Sequence, residues 1–364
     1  MTVNEVFIVD IATLLPPRYR PEYLLGHIYG QPGVASEVLT FATKASRNTG
    51  VKSLSSVLDF NAYPAKKLIS DCHTSKAWCC SLLDALCTAL PAGDIGFFGV
   101  SYNMSSHVDV LPNLACQVAH ERKLRLLSPP QEMPYHGCAS GLLQLQSAVE
   151  FCRREDKAAV VIVLEQCTWG YNPICDRDND DFRASLRGHL LFGDGAAALL
   201  IVPESLMGRF SNALRVIGVD TGFRPGNAIA IRNGHFLVGE DVGKIVPQLV
   251  SAECIRPLLA KHRLDVCDVP DWAVHQGGLP VLMKFKDPEV LGLSAAQLAD
   301  SAETFREFGN LSSASCLFTL KRQFDRPPQG TTKGMLVAFG AGYYFGSLLY
   351  EKWHGAAADF RRAA

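Results

Sequence analysis

The sequence predicts an α/β protein with largely parallel sheets covered on both faces, and three observations predict it. Short apolar runs bounded by turn residues recur at VFIVDIA, DIGFFGVS, AVVIVLE, AALLIV, LRVIGVD, DWAVHQ and GMLVAFGAG, as strands buried on both sides require. Longer stretches with helical apolar spacing lie between them, at Ala139 to Arg154, Pro247 to His262 and Ser312 to Gln323. At 364 residues and 48% hydrophobic, the chain can bury one large layered domain or two ordinary ones sharing a core.

Taken in order, the N-terminal MTVNEVFIVDIATLLPP has no basic segment before its apolar run and no small-residue cleavage site after it, so it reads as a first strand. The segment CHTSKAWCCSLLDALC holds Cys72, His73, Cys79, Cys80 and Cys87 but no CxxC knuckle. Its apolar spacing through Trp78, Leu82, Leu83 and Leu86 makes it a packed helix and not a metal site. Twelve cysteines without an export signal read as reduced thiols of a cytosolic protein. No run reaches the roughly 18 apolar residues that a membrane span needs. With 35 basic and 36 acidic residues the chain has no global field to recruit nucleic acid or an anionic membrane.

The order of elements repeats. DIGFFGVS, HGCASGLLQLQ, AVVIVLE and GAAALLIV are matched later by DWAVHQGG, FGNLSSASCLFTL and GMLVAFGAGYYFGSLLY. Each set offers a strand, a small-residue turn entering a helix, and a closing strand pair. The expected division falls after the first closing strand, giving halves 1–205 and 206–364, the turns at Cys138 and Asn310 becoming neighbours across a pseudo-twofold axis.

Those turns suggest chemistry. Cys138 stands where a loop of small residues enters a helix marked by Leu142, Leu145, Val149 and Cys152, and a helix N-terminus lowers a thiol's pKa. On its own it reads more readily as a buried cysteine starting a helix. His275 ends a buried strand before two glycines, the end of an α/β strand where ligands bind, although a capping histidine fits too. Asn310 in FGNLSSAS is either an N-cap or a donor. Together, Cys, His and Asn can hold an acyl group covalently and polarise a second carbonyl, as decarboxylation of a malonyl thioester or proton loss beside a thioester requires. LLFGDGAAALLIV contains GxG but runs into a strand, so it is not a dinucleotide fingerprint. In FGAGYYFGS, Gly340 and Gly342 suit close approach to the Cys138 acyl group, an amide there completing an oxyanion hole with that of Cys138. CTWGYNPICDRDNDDFRASLRGH, acidic then basic, reads as a solvated loop.

In this order the motifs resemble the thiolase-fold condensing enzymes, between the ketoacyl synthase III and chalcone-synthase-like (type III polyketide synthase) branches. LFGDGAAALLIV, WAVHQGG with Pro280, and FGNLSSASCLFTL resemble the chalcone-synthase side; GCASGLLQLQ, Gln276 and PNLACQ resemble ketoacyl synthase III. The resemblance implies a thiolase-like fold of two duplicated βαβαβαββ halves in five αβαβα layers. It implies an acyltransferase of polyketide or fatty-acid type, with no permanently bound cofactor and no metal. Cys138 would accept an acyl group from coenzyme A or an acyl carrier protein, and His275 and Asn310 would activate a malonyl or β-ketoacyl thioester. Gly342 matches the family's oxyanion-hole glycine, and Asp194 would hold the FGDG turn. Leu111 falls where relatives send a residue across a homodimer interface, and Phe236 and His136 would line the acyl pocket. The rival readings are transfer to an oxygen or nitrogen without a carbon–carbon bond, and a non-catalytic partner subunit. After His275 and Gln276, Gly277 to Pro280 depart from ketoacyl synthase III, and Ala341, Tyr343 and Tyr344 depart from the chalcone-synthase loop.

Overall fold

The computed structural model describes residues 4–107, 111–327 and 332–354. The strands of four residues or more are β1 (Val6–Leu14), β2 (Ile95–Tyr102), β3 (Gln131–Pro134), β4 (Ala158–Gln166), β5 (Asp194–Pro203), β6 (Asn212–Phe223), β7 (Ile229–Arg232), β8 (His235–Val238), β9 (Asp271–Val274), β10 (Lys333–Phe339) and β11 (Tyr344–His354). Nine of them form one ladder in the order β9-β10-β11-β6-β1-β5-β4-β2-β3, and β7 and β8 form a separate ribbon. Toward one end β4 runs parallel to β2 and antiparallel to β5, which is antiparallel to β1. Toward the other, β10 runs parallel to β9 and antiparallel to β11, which is antiparallel to β6. The two sets meet only where Phe7 and Ile8 pair with Arg215 and Leu214.

Side-chain alternation along the strands builds five layers. Ala159, Val161 and Val163 of β4 and Leu336 and Ala338 of β10 face a middle layer of two helices, α3 (Ser140–Arg154) and α8 (Ser315–Asp325). The intervening Val160, Ile162 and Leu164 face outward to α1 (Ser75–Leu86) and α2 (Leu114–Glu121). Met335, Val337 and Phe339 of β10 face the opposite outer layer, α5 (Val242–Val250) and α6 (Arg256–Lys261). Each buried Leu, Ile or Val contributes about 1.5–3 kcal/mol, so an apolar run such as β4 stays sandwiched, and the polar Glu165 and Gln166 at its carboxyl end are the exception.

α1 is the helix expected from its cysteine-rich segment, with Thr74 capping it by accepting from the Ala77 amide at 3.2 Å. All twelve cysteines are free, and the described residues hold no cluster of potential metal ligands. No described helix is long and apolar enough to cross a membrane. The segment read as a solvated loop is corrected: its second part is helix α4 (Phe182–Leu191), which buries Phe182, Leu186, His189 and Leu190. Those positions fall at i, i+4, i+7 and i+8, one helix face. The helix expected from Pro247 begins at Val242 and passes through a wide turn at Ser251–Ile255 before α6.

Candidate active site

Cys138 lies in the tight turn Gly137–Ala139 that leads into α3, and it is 6% exposed. The turn meets the Gly340–Ala341 backbone so closely that a Cβ on Gly340 would come 2.1 Å from the Cys138 nitrogen, and one on Gly137 2.3 Å from that of Ala341. Backbone strain gathers here: Tyr135, Ser312 and Tyr343 have φ of 64°, 50° and 52°, conformations that persist where surrounding structure enforces them.

Cys138 borders a cavity of about 270 Å³ whose wall is largely apolar, with Met104, Cys167, Phe192, Ile229, Ile231 and Phe236, interrupted by Asn103, Glu165 and Ser312. Phe236 on β8 meets Phe192 edge-on, ring centroids 4.9 Å apart. The Cys138 Sγ is 3.4 Å from Ser312 Oγ. The expected lowering of the thiol pKa is not found: burial pushes it up to about 12, the Ser312 hydrogen bond opposes, and the nearby Glu165 charge adds to the rise. Desolvation outweighs the helix end, whose effect reaches only about 2 kcal/mol even at partly buried positions.

Asn310 is fully enclosed and its main chain bonds on both sides, its amide donating to Leu191 O at 2.7 Å and its carbonyl accepting from Gly193 N at 3.0 Å. Its Oδ1 accepts from Ser312 N at 2.8 Å and Ser315 Oγ at 3.2 Å. That turns Nδ2 away as a donor, and it makes no hydrogen bond among the described residues. Ser312 therefore joins Asn310 to Cys138, which the sequence reading had not anticipated. His275 follows β9, its amide donating to Val337 O at 2.8 Å and its ring standing edge-on to Phe339. Burial pushes its pKa down to about 3, so the imidazole is neutral, and Nδ1 has no hydrogen-bond partner. No hydrogen bond joins His275 to Cys138.

Glu165 is enclosed beside the nucleophile. It accepts from Asn103 Nδ2 at 2.7 Å and Asn103 N at 3.2 Å, and from the Ser313 hydroxyl. Burial pushes its carboxyl up to about 7 against those bonds. A carboxylate ending an otherwise apolar strand was the sequence signal for it. Asp194 accepts from Thr168 N at 2.7 Å and Val57 N at 2.8 Å and so pins the FGDG turn.

Gly342, His136 and Leu111 do not border the Cys138 cavity of their own chain. Ala341, not Gly342, borders the cavity; the space above Gly342 meets the Tyr344 ring at 3.0 Å. His136 is turned out of the wall, with Nδ1 2.7 Å from Pro134 O and its ring against Tyr344. Leu111 is 87% exposed and does not border its own cavity. A second cavity of about 440 Å³ begins at Gly277 and Gly278, just after His275, and is bounded by Leu190, Leu191, Val238 and Val242.

Residues 231–352 match the chalcone and stilbene synthase C-terminal domain. A putative chalcone synthase of Bacillus subtilis is 26% identical over 234 residues, 60% of this chain and 61% of that protein, so the match spans less than two thirds of the relative. A polyketide synthase from the brown alga Ectocarpus siliculosus superposes with a TM-score of 0.75 at 20% identity, over 98% of this chain and 99% of that one. The 1,3,6,8-tetrahydroxynaphthalene synthase of Streptomyces coelicolor, a type III polyketide synthase, gives 0.74 at 22% identity, over 96% and 100%. The chain has the thiolase-like fold of the type III polyketide synthases, and its residues 231–352 carry the family match on the chalcone-synthase side of the resemblance.

Proposed function

We propose that the protein is a homodimeric condensing acyltransferase that loads an acyl group from a coenzyme A or carrier-protein thioester onto Cys138. It then forms a carbon–carbon bond with a malonyl or β-ketoacyl thioester, giving a β-ketoacyl thioester, a pyrone or a related ring. The observation that carries this reading is that Cys138 and Ser312 border a mostly apolar cavity while hydrogen bonds run from Cys138 through Ser312 to Asn310 behind the wall. His275, which follows β9 with its Nδ1 unpartnered, is the group we assign to receive the Cys138 proton when the thioester is bound. The thiolate attacks the thioester carbonyl, the amides of Cys138 and Ala341 hold the oxyanion, and the carrier thiolate leaves. On loss of carbon dioxide, the electron pair of the broken bond passes into an enolate whose oxygen accepts from His275 Nε2 and Asn310 Nδ2. The enolate carbon then attacks the acyl carbonyl and expels the Cys138 thiolate, which takes back the proton held by His275.

The second cavity beyond Gly277 is the route we assign to the carrier's pantetheine arm. A cavity of about 270 Å³ falls below the roughly 300–1,000 Å³ of ordinary ligand pockets, which favours short chains and few condensations. Four strands of each set, β2-β4-β5-β1 and β9-β10-β11-β6, share one order and pairing, and they support our division into halves 1–205 and 206–364.

Incubation with mass-tagged acyl-CoA should place the adduct on Cys138, and Cys138→Ala should abolish it. Malonyl-CoA should then release carbon dioxide, and Asn310→Ala should lose that release while keeping acylation. An adduct without carbon dioxide release would instead favour transfer to oxygen or nitrogen, and no adduct with any donor would favour the non-catalytic subunit.

A further inference from the structure

Behind the cavity lies a buried chain of polar aromatic groups that the steps above do not use. Tyr171, 4% exposed, donates its hydroxyl to the carbonyl oxygen of Phe192 at 2.5 Å. Its ring stands edge-on to His189, centroids 4.8 Å apart. His189 Nδ1 shares a hydrogen bond with the Tyr29 hydroxyl at 2.9 Å, and burial keeps that histidine neutral.

Phe192 is where this chain meets the site. Its ring borders the Cys138 cavity and stands edge-on to Phe236, while Leu191 and Gly193 on either side bond the main chain of Asn310. Among the described residues the Phe192 carbonyl accepts from the Tyr171 hydroxyl and from no backbone amide. Without that hydroxyl a buried carbonyl loses its partner, and the strip gains a reason to shift toward another donor.

We propose that Tyr171 is a positioning residue that sets the acyl selectivity of the Cys138 cavity by holding Phe192 against Phe236. This rests on the reading of Cys138 as the acyl acceptor. Tyr171→Phe keeps the ring on His189 and removes only the hydroxyl.

Two readouts test it. The first needs no acyl transfer: alkylation of Cys138, located by mass spectrometry, with iodoacetamide and with a bulky maleimide. Tyr171→Phe should raise the ratio of bulky to small reagent rates by about tenfold. The second is the ratio of kcat/KM for octanoyl-CoA to that for acetyl-CoA, which should rise by a similar factor through KM. Phe192→Leu, which keeps the carbonyl and its hydrogen bond but removes the ring, should move both ratios the same way. Tyr29→Phe removes a buried hydrogen bond one step further back; it should lower the thermal midpoint and leave both ratios unchanged. The proposal is overturned if Tyr171→Phe folds and moves neither ratio, if Phe192→Leu moves neither, or if Tyr29→Phe moves them equally. If the alkylation ratio rises while neither wild type nor variant takes an acyl group from any donor, the hold of Tyr171 on the wall stands and the acyl-acceptor reading fails.

Discussion

Burial and the nearby Glu165 charge oppose the Ser312 hydrogen bond in setting the state of the Cys138 thiol, and the hydrogen bond can be removed by one substitution. Burial raises the pKa, and the Ser312 hydrogen bond lowers it by favouring the thiolate. Ser312→Ala should therefore slow alkylation of Cys138 by iodoacetamide at mildly alkaline pH by about tenfold, since hydrogen bonds to charged groups contribute about 1.5–3 kcal/mol. An unchanged rate would show that Ser312 does not stabilise the thiolate. Glu165 makes a second prediction with the opposite sense of pH. Its carboxyl lies at about 7 when folded against 4.5 ordinarily, so its contribution is present when protonated and is lost as pH rises through that window. Glu165→Gln cannot lose a proton, so its thermal midpoint relative to wild type should climb between pH 4.5 and 7. His189 and His275 titrate in both proteins, whereas the Glu165 charge helps to raise the Asp194 carboxyl, so its removal lowers that group and adds to the climb; a flat difference would refute the shift. Cys138, His275 and Asn310 were legible because each ends a recognisable element. Ser312 was not, because what distinguishes it from the other serines of its turn is which neighbours tertiary packing brings against it, and Glu165 carried only the signal of a carboxylate ending an apolar strand.

The close contact between the turns Gly137–Ala139 and Ala341–Tyr343 gives the next prediction. Gly340 has extended backbone, φ −168°, so a side chain there is barred by space and not by conformation. Gly340→Ala would drive a methyl into the Cys138 backbone and should cut acylation and alkylation of Cys138 together by about a hundredfold or more, about 2.7 kcal/mol. Gly342→Ala meets a φ of 73° but only the movable Tyr344 ring, and should lower the thermal midpoint while keeping most of the acylation. Equal losses in the two variants would return the oxyanion role to Gly342. The strands of the large ladder could be read because apolar runs buried on both faces leave an unbroken signal. The ribbon of β7 and β8 was missed although Asn233 and Gly234, both at positive φ, are the two-residue turn that marks a hairpin. Helix α4 was missed because the acidic loop before it masked an apolar face that only starts at Phe182.

At the scale of the whole molecule, the two ends of the nine-stranded ladder differ. All four residues of β9 are buried, whereas Gln131, at the start of β3, is exposed and the rest of that strand half-buried. Leu127 and Tyr135, on either side of β3, are 60% and 74% exposed, and Leu111 is 87% exposed. An open strand edge flanked by apolar side chains is a pairing surface. A second copy that uses the same edge closes it by a twofold axis, whereas any other partner surface would leave one edge open. The protein should therefore run in light scattering at twice its chain mass of 39.7 kDa. Leu127→Lys would bury an ammonium group in that interface and should shift the protein toward monomer. Leu111 supplies the link to the site: if it closes the partner's cavity, Leu127→Lys should also raise alkylation of Cys138 by a bulky maleimide under monomeric conditions, with the fold intact by circular dichroism. A wild-type protein that stays monomeric at every concentration tested would remove both the dimer and the role of Leu111, and would leave the Cys138 cavity to be closed by this chain's own Tyr135 and Ile231.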